Sequence, residues 1–154
     1  MRHRVLRALE RLMHIALQVK GLATFGLRVG ILGDFTVMNP QNVQIGHTCS
    51  FNYEVFVLGH TSVEILNYAV FSARCILVDA GLNAGEFVAK DQPRHVDGPI
   101  RIEDGAWIGA GAIILPGVTV GRKAIVRLGS VVTRNVEPLT VVAAKPAKVT
   151  GRLT

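Results

Sequence analysis

The sequence predicts an all-β solenoid, a parallel β-helix whose coil has three short faces. Three observations carry that expectation. Ile102, Ile108, Ile114, Val120, Val126 and Val132 fall six residues apart. A small or β-branched residue follows each by four: Ala106, Ala112, Val118, Ala124, Ser130 and Val136. Hydrophobic residues make up 49% of the 154-residue chain, yet aromatic residues make up only 6%. A period of six is too long for strand alternation and does not match a helical repeat. It fits a stack in which each hexapeptide forms one face of a coil. The leading aliphatic then fills the prism axis, and the small residue turns the corner. An axis of Ile, Val and Ala leaves no room for rings, which is how the composition reads.

The length suits one domain with a real core. No stretch approaches the roughly 18 apolar residues of a membrane span. Glu10, Arg11, His14 and Lys20 interrupt any secretory signal in the first thirty residues. The expected location is therefore cytoplasmic. The net charge of +6 is uneven. Residues 1–30 hold six basic side chains against Glu10, residues 31–120 hold four against nine acids, and residues 121–154 hold seven against Glu137. Basic ends beside an acidic middle point to an anionic ligand or surface near each end. No nucleic-acid motif is readable, so nucleic acid is not the expected partner. Cys49 and Cys75 fall at the small corner position and read as buried thiols. No C-x-x-C or Cys/His spacing suggests a disulfide or a metal site.

Taken in order, residues 3–20 read as a helix. Val5, Leu9, Leu12, Met13 and Ala16 share one face, and Arg4, Arg7 and Arg11 line another. Gly21 and Gly26 break it. Segment 1–28 is thus a basic amphipathic cap that covers the open end of the solenoid, and it suits peripheral contact with an anionic membrane. The β-helix domain spans 29–154, with weak coils from Val29 and a clear frame at Ile45, Phe51 and Val57. The frame slips by two residues to Ile65, Phe71 and Leu77, so the chain bulges at one corner near Thr61 to Glu64. The segment 82–99, with Gly85, Pro93, Gly98 and Pro99, reads as a loop thrown out from a corner. A loop of that length in a compact repeat is usually functional. After Val136 the period is lost and the stack is expected to end.

The block G-A-W-I-G-A-G-A-I-I-L-P-G-V-T-V-G from Gly105 to Gly121 resembles the core coils of the hexapeptide-repeat acyltransferases. G-S-V-V-T-R-N-V from Gly129 and K-P-A-K-V from Lys145 resemble that family's closing coil and tail. The resemblance implies a left-handed β-helix and a homotrimer with active sites between subunits. It also implies acetyl-CoA as acyl donor and no metal. Acceptor choice lives in the loops. Leu66, Arg127, Ala144 and Lys145 stand where the family usually has Gly, Gly, Gly and Asn. A lost glycine costs about 1 kcal/mol wherever φ must be positive. Many sugar O-acetyltransferases of this type carry a catalytic histidine just before the loop. Here V-D-A-G-L-N stands there, with Gly81 or a neighbour at the histidine's place.

Acetyl transfer needs a base, oxyanion donors and aligned substrates. His60 is the first candidate base. It stands three residues after Val57, as Ala80 stands three after Leu77, and adjacent coils lie about 4.8 Å apart. His60 should therefore sit one step below the absent histidine, on the same edge. The run F-N-Y-E-V-F-V-L-G-H also resembles the asparagine and aspartate–histidine arrangement of serine and nucleotide-aminosugar acetyltransferases, with Gly59 at the aspartate's place. His95 is the second candidate, as base or acceptor contact, because P-R-H-V-D-G-P-I resembles the stretch ahead of the serine acetyltransferase core coils. His47 is expected to face outward without chemistry. By the same resemblance Asn52 is an acceptor or oxyanion contact. Asp79 would orient a histidine or bind sugar hydroxyls. Trp107 would pack near the pantetheine or a subunit interface. Backbone amides near Ala110 and Gly111 would serve the oxyanion, and Lys145, Lys148 and Arg152 would meet the CoA phosphates.

The leading expectation is an acetyl-CoA-dependent O-acetyltransferase of a sugar hydroxyl in surface-polysaccharide or glycolipid assembly. The alternatives are an N-acetyltransferase of a nucleotide-linked aminosugar and a catalytically inactive trimeric scaffold, the last motivated by Gly81. A zinc anhydrase of the same fold would need three histidines at a spacing that His47, His60 and His95 do not show.

Overall fold

The computed structural model describes residues 24–83, 88 and 95–154. The expected helix at 3–20 lies outside them, so its membrane contact does too. Five coils follow one another. The first holds β1 (Thr24–Phe25), β2 (Gly30–Ile31) and β3 (Phe35–Val37). The second holds β4 (Val43–Ile45), β5 (Ser50–Phe51) and β6 (Val55–Val57), and the third β7 (Val63–Ile65), β8 (Val70–Phe71) and β9 (Ile76–Leu77). An inserted hairpin of β10 (Ala80–Leu82) and β11 (His95–Asp97) comes next. The fourth coil holds β12 (Ile100–Ile102), β13 (Trp107–Ile108) and β14 (Ile113–Ile114). The fifth holds β15 (Thr119–Val120), β16 (Ile125–Val126) and β17 (Val131–Val132). The tail adds β18 (Thr140–Ala143) and β19 (Lys148–Arg152).

Like strands pair in parallel, so the coils build three sheets: β1-β4-β7-β12-β15, β2-β5-β8-β13-β16, and β3-β6-β9-β14-β17. We number these faces one, two and three. The six-residue period is therefore one strand plus one corner. From β3 to β17, outside the hairpin, the inward residue of every strand is buried, Ile31 of β2 is partly so, and Ala69, Ala106, Ala112 and Ala124 fill corners where a larger side chain would collide with the facing strand.

The structure departs from the sequence expectation in four places. Strands begin at Thr24, ahead of Val29. The two-residue slip is not a single bulge: Gly30, Ser50 and Val70 stack twenty residues apart, while Trp107 and Ile125 stack eighteen apart. All the extra length enters at the third corner, once as the 3-10 turn Pro40–Asn42. The stack does not end at Val136. That residue bridges Val120, β18 pairs in parallel with β16, and β19 folds back antiparallel onto β18. Finally, the axis does hold rings. Phe35, Phe51 and Phe71 are buried there, with centroids 4.5 and 4.7 Å apart and the last pair 6° from parallel. Coils repeat at nearly that spacing, so each ring lies flat within the thickness of its own coil and stacks on the next.

A left-handed backbone recurs at fixed corner positions regardless of residue type. Arg28, Thr48, Tyr68, Gly105, Lys123 and Leu139 take positive φ at the first corner, and Glu54, Arg74, Gly111 and Gly129 do so at the second. Leu66 and Arg127 are not among these residues, so the expected glycine penalty does not arise there. It does arise at Ala144, whose φ is +88°. The outward sides differ in polarity. Face one shows Gln44, Glu64, Arg101 and Thr119, with Arg101 paired to Glu64. Face two shows Ser50, Val70, Trp107 and Ile125, and face three Thr36, Phe56, Ile76, Ile113 and Val131, so both are mainly apolar.

Candidate active site

Among the described residues the regular prism opens out at the third corner. At the second coil it is Leu58 to Ser62, and at the third coil the same corner gives rise to the hairpin. Asp79 connects the two. It is fully buried, and its carboxylate accepts hydrogen bonds from the backbone N–H of His60 (2.8 Å), Thr61 (2.6 Å) and Ser62 (3.0 Å) and from the Thr61 hydroxyl (3.0 Å). Burial by itself raises a carboxyl's pKa, but the donors on His60 and Thr61 outweigh it and hold Asp79 below the ordinary value. From the coil below, the Asn42 side-chain amide donates to the carbonyls of Gly59 (2.9 Å) and His60 (3.0 Å). The His60 peptide is thus gripped on both sides while its ring stays half-exposed.

That ring faces the hairpin. The His95 ring stacks on it, with centroids 5.9 Å apart and planes 21° from parallel. Asp97 Oδ2 lies 3.7 Å from His60 Nε2. The register explains why both meet His60. His95 opposes Leu82, Asp97 opposes Ala80, and residues two apart on a strand share a face. The two candidate histidines, 35 positions apart in the sequence, therefore stand together. Gly81 opposes Val96 and belongs to the other face of the hairpin. A side chain at Gly81 would meet open space, so a histidine there would project away from His60. His60 shares the absent histidine's edge but not its side.

The other candidates gather elsewhere. Asp79 cannot present its carboxylate to a sugar, because buried backbone donors occupy it. What it orients is the His60 main chain. Asn52 sits at the second corner, where its side-chain amide donates to Phe71 O (3.2 Å), on a different edge from His60. Trp107 points outward from face two, half-exposed, and its Nε1–H donates to Ser72 Oγ (3.1 Å). Ala110 and Gly111 form the exposed second corner of the fourth coil. The Gly111 N–H is spent on Ala73 O (2.9 Å) and so is no oxyanion donor, a correction that follows from coil-to-coil bonding. Lys145, Lys148 and Arg152 are exposed on the β18–β19 turn and strand at the end of face two. The donor-side candidates and Asn52 thus share face two and its following corner, while the histidines hold the third corner.

His47 faces outward as expected, but it is not idle. Its Nδ1 accepts the Leu27 N–H (2.9 Å), its own N–H donates to Asn67 Oδ1 (2.8 Å), and the Asn67 N–H donates to Asp104 Oδ1 (2.9 Å). This ladder ties one corner of four coils together. Among the described residues no cluster of metal-ligating side chains exists. Nor is any helix among them long and apolar enough to cross a membrane. The sequence reading missed Asp97 and Asn42. The H-V-D alternation in the loop would have shown that Asp97 shares His95's side. Nothing in sequence foretold the Asn42 reach.

Known proteins share this fold. A family profile described as the hexapeptide repeat of succinyl-transferase matches residues 99–134. A Schizosaccharomyces pombe protein assigned as an acetyltransferase is 34% identical over 107 residues, 70% of this chain and 51% of its own length. The galactoside O-acetyltransferase of Escherichia coli is 28% identical over 109 residues, 71% of this chain and 53% of its own. The chain therefore spans about half the length of these curated relatives. A hexapeptide-repeat acetyltransferase of Vibrio cholerae, solved in complex with acetyl-coenzyme A, superposes with a TM-score of 0.83 at 25% identity, covering 94% of this chain and 78% of that one. The chain belongs to the hexapeptide-repeat acetyltransferase family.

Proposed function

We propose that the protein is an acetyl-CoA-dependent O-acetyltransferase acting on a sugar hydroxyl in surface-polysaccharide or glycolipid assembly, with His60 as general base. The observation that carries this reading is the His60–His95 pair, held on a corner whose main chain is pinned from above and below. A base works only if its nitrogen stays within hydrogen-bond reach of the acceptor, and a pinned peptide limits that wander. The half-exposed imidazole is open to substrate. The galactoside O-acetyltransferase relative supports a sugar acceptor, and the acetyl-coenzyme A complex of the Vibrio cholerae relative supports the donor.

The donor-side residues and the histidines lie on different edges of one prism. A homotrimer brings the second corner of one protomer against the third corner of the next and so completes each site. Its contacts draw on the apolar outward columns of faces two and three, leaving the charged face one to water. Trp107 and the Ala110 N–H flank the pantetheine, Lys145, Lys148 and Arg152 meet the phosphates, Asn52 and His95 contact the acceptor, and Asp79 positions His60. The test is thiol release from acetyl-CoA with a panel of hexoses, nucleoside-diphosphate sugars and their amino derivatives. Removing a general base costs on the order of 10²–10⁴ in rate. His60→Ala should lose at least a hundredfold in kcat. An unchanged rate in that variant refutes the assignment, and turnover confined to amino sugars moves the acceptor from oxygen to nitrogen.

A further inference from the structure

We propose that Asp97, carried on β11, is a positioning residue for His60: it orients the imidazole and steadies the positive charge the ring acquires during transfer. The inference rests on His60 being the base. Three groups face that ring from the elements around it. Asp97 Oδ2 lies 3.7 Å from Nε2, the His95 ring stacks at 5.9 Å, and the Asp79 carboxylate sits behind the His60 N–H. Asp79 is committed to three backbone amides and a hydroxyl, so its charge is already compensated. Asp97 is therefore the carboxylate turned toward the ring. It occupies the Nε2 side and leaves Nδ1 for the acceptor.

The acceptor hydroxyl gives its proton to His60 Nδ1 as its oxygen attacks the thioester carbonyl carbon. The tetrahedral intermediate collapses, the C–S bond breaks, and the leaving CoA sulfur takes the proton back from the imidazolium. Asp97 stays ionised throughout and exchanges no proton. Its contribution is a negative charge held beside the ring that takes up the acceptor's proton, so it acts on kcat. Binding of the donor should not involve it, because the donor-side residues lie on face two.

The hairpin register makes this a property of the insertion. Ala80 opposes Asp97 and is too small to come between that carboxylate and the corner, while Gly81 on the other side offers no competing group. In this chain the insertion supplies a counter-charge to a histidine of the coil before it.

The experiment uses the full-length chain, acetyl-CoA and the acceptor panel, with thiol release followed for wild type, His60→Ala, Asp97→Asn and Asp97→Glu. Asp97→Asn should lower kcat about two- to fivefold, the scale of one half-exposed charge pair, with KM for acetyl-CoA within twofold. Asp97→Glu should recover part of the loss, which a merely structural role for the hairpin would not produce. If His60→Ala is inactive but Asp97→Asn keeps the wild-type kcat, the Asp97 inference fails alone. A larger KM with unchanged kcat overturns it too, by making Asp97 a binding group. Full activity in His60→Ala, or no turnover by wild type across the panel, overturns both readings.

Discussion

Replacing Asp79 by asparagine keeps the shape and removes the charge, which makes it the sharpest perturbation of the corner. One carboxylate oxygen accepts from His60, and the other accepts from Thr61 twice and from Ser62. An amide offers one oxygen and one NH2. Whichever way it turns, the NH2 faces at least one backbone N–H, and that buried donor is left unpaired. Such a donor costs about 1–3 kcal/mol, and the surviving bonds lose their charge assistance. The sum is about 3 kcal/mol, or a fall of roughly 6–12 °C in Tm for a chain of this length. Thermal and urea unfolding at fixed protomer concentration measure it, since assembly makes apparent stability concentration-dependent.

The pH dependence gives a second handle. Asp79 is held below the ordinary carboxyl value in the fold, against about 3.9 unfolded. Its stabilisation is therefore fully present above the unfolded value and is lost as pH falls through the folded one. The gap between wild type and Asp79→Asn should be equal at pH 7 and pH 5, then close below about pH 4. A gap under 1 kcal/mol at pH 7, or one that persists unchanged in acid, would refute the idea that a charged Asp79 holds the corner.

Further outcomes follow from the core and the corners. Phe51→Ala removes the middle ring of the axial stack and should cost about 3–5 kcal/mol, read as a lower urea midpoint. Burial pushes the Cys75 thiol up to about 12, so iodoacetamide at pH 8 should leave it unmodified in the native protein and label it once urea unfolds the chain. Ala144→Gly relieves a positive φ and should stabilise by about 0.5–1 kcal/mol, visible as a small rise in Tm.

Much of the prism was legible in the sequence because its signal is repetitive. Ile102 to Val132 announce the axis, and Ala106, Ala112 and Ala124 announce the corners. The earlier coils were harder to read because their extra two residues enter at the third corner every time and break the count of six. Phe51 and Phe71 fell in the six-residue frame, yet the low aromatic content read as an axis without rings, since composition does not reveal that rings can lie flat in successive layers. The tail after Val136 was misread because β18 rejoins the second sheet after a shortened coil. Within the site, His60 and His95 could be named from motif resemblance, but their meeting depends on hairpin register. Asp79 was named to orient a histidine or bind sugar hydroxyls, but that it does so through the main chain was not legible, since bonds to backbone amides leave no trace in side-chain patterns. Gly111 failed for a similar reason, since coil-to-coil bonding had already claimed its amide.

The third corner also sets what this architecture can change without harm. The chain leaves the prism after Leu77 and re-enters at Ile100 one layer higher, directly above Val63. Exit and entry are fixed by neighbouring strands and by the Asp79 carboxylate, so the excursion beyond Asp79 can lengthen, shorten or be exchanged while the stack stays intact. A hairpin borrowed from another member of the fold could be grafted between the same two anchors. New acceptor preferences would then be obtained by swapping one excursion and leaving the scaffold alone.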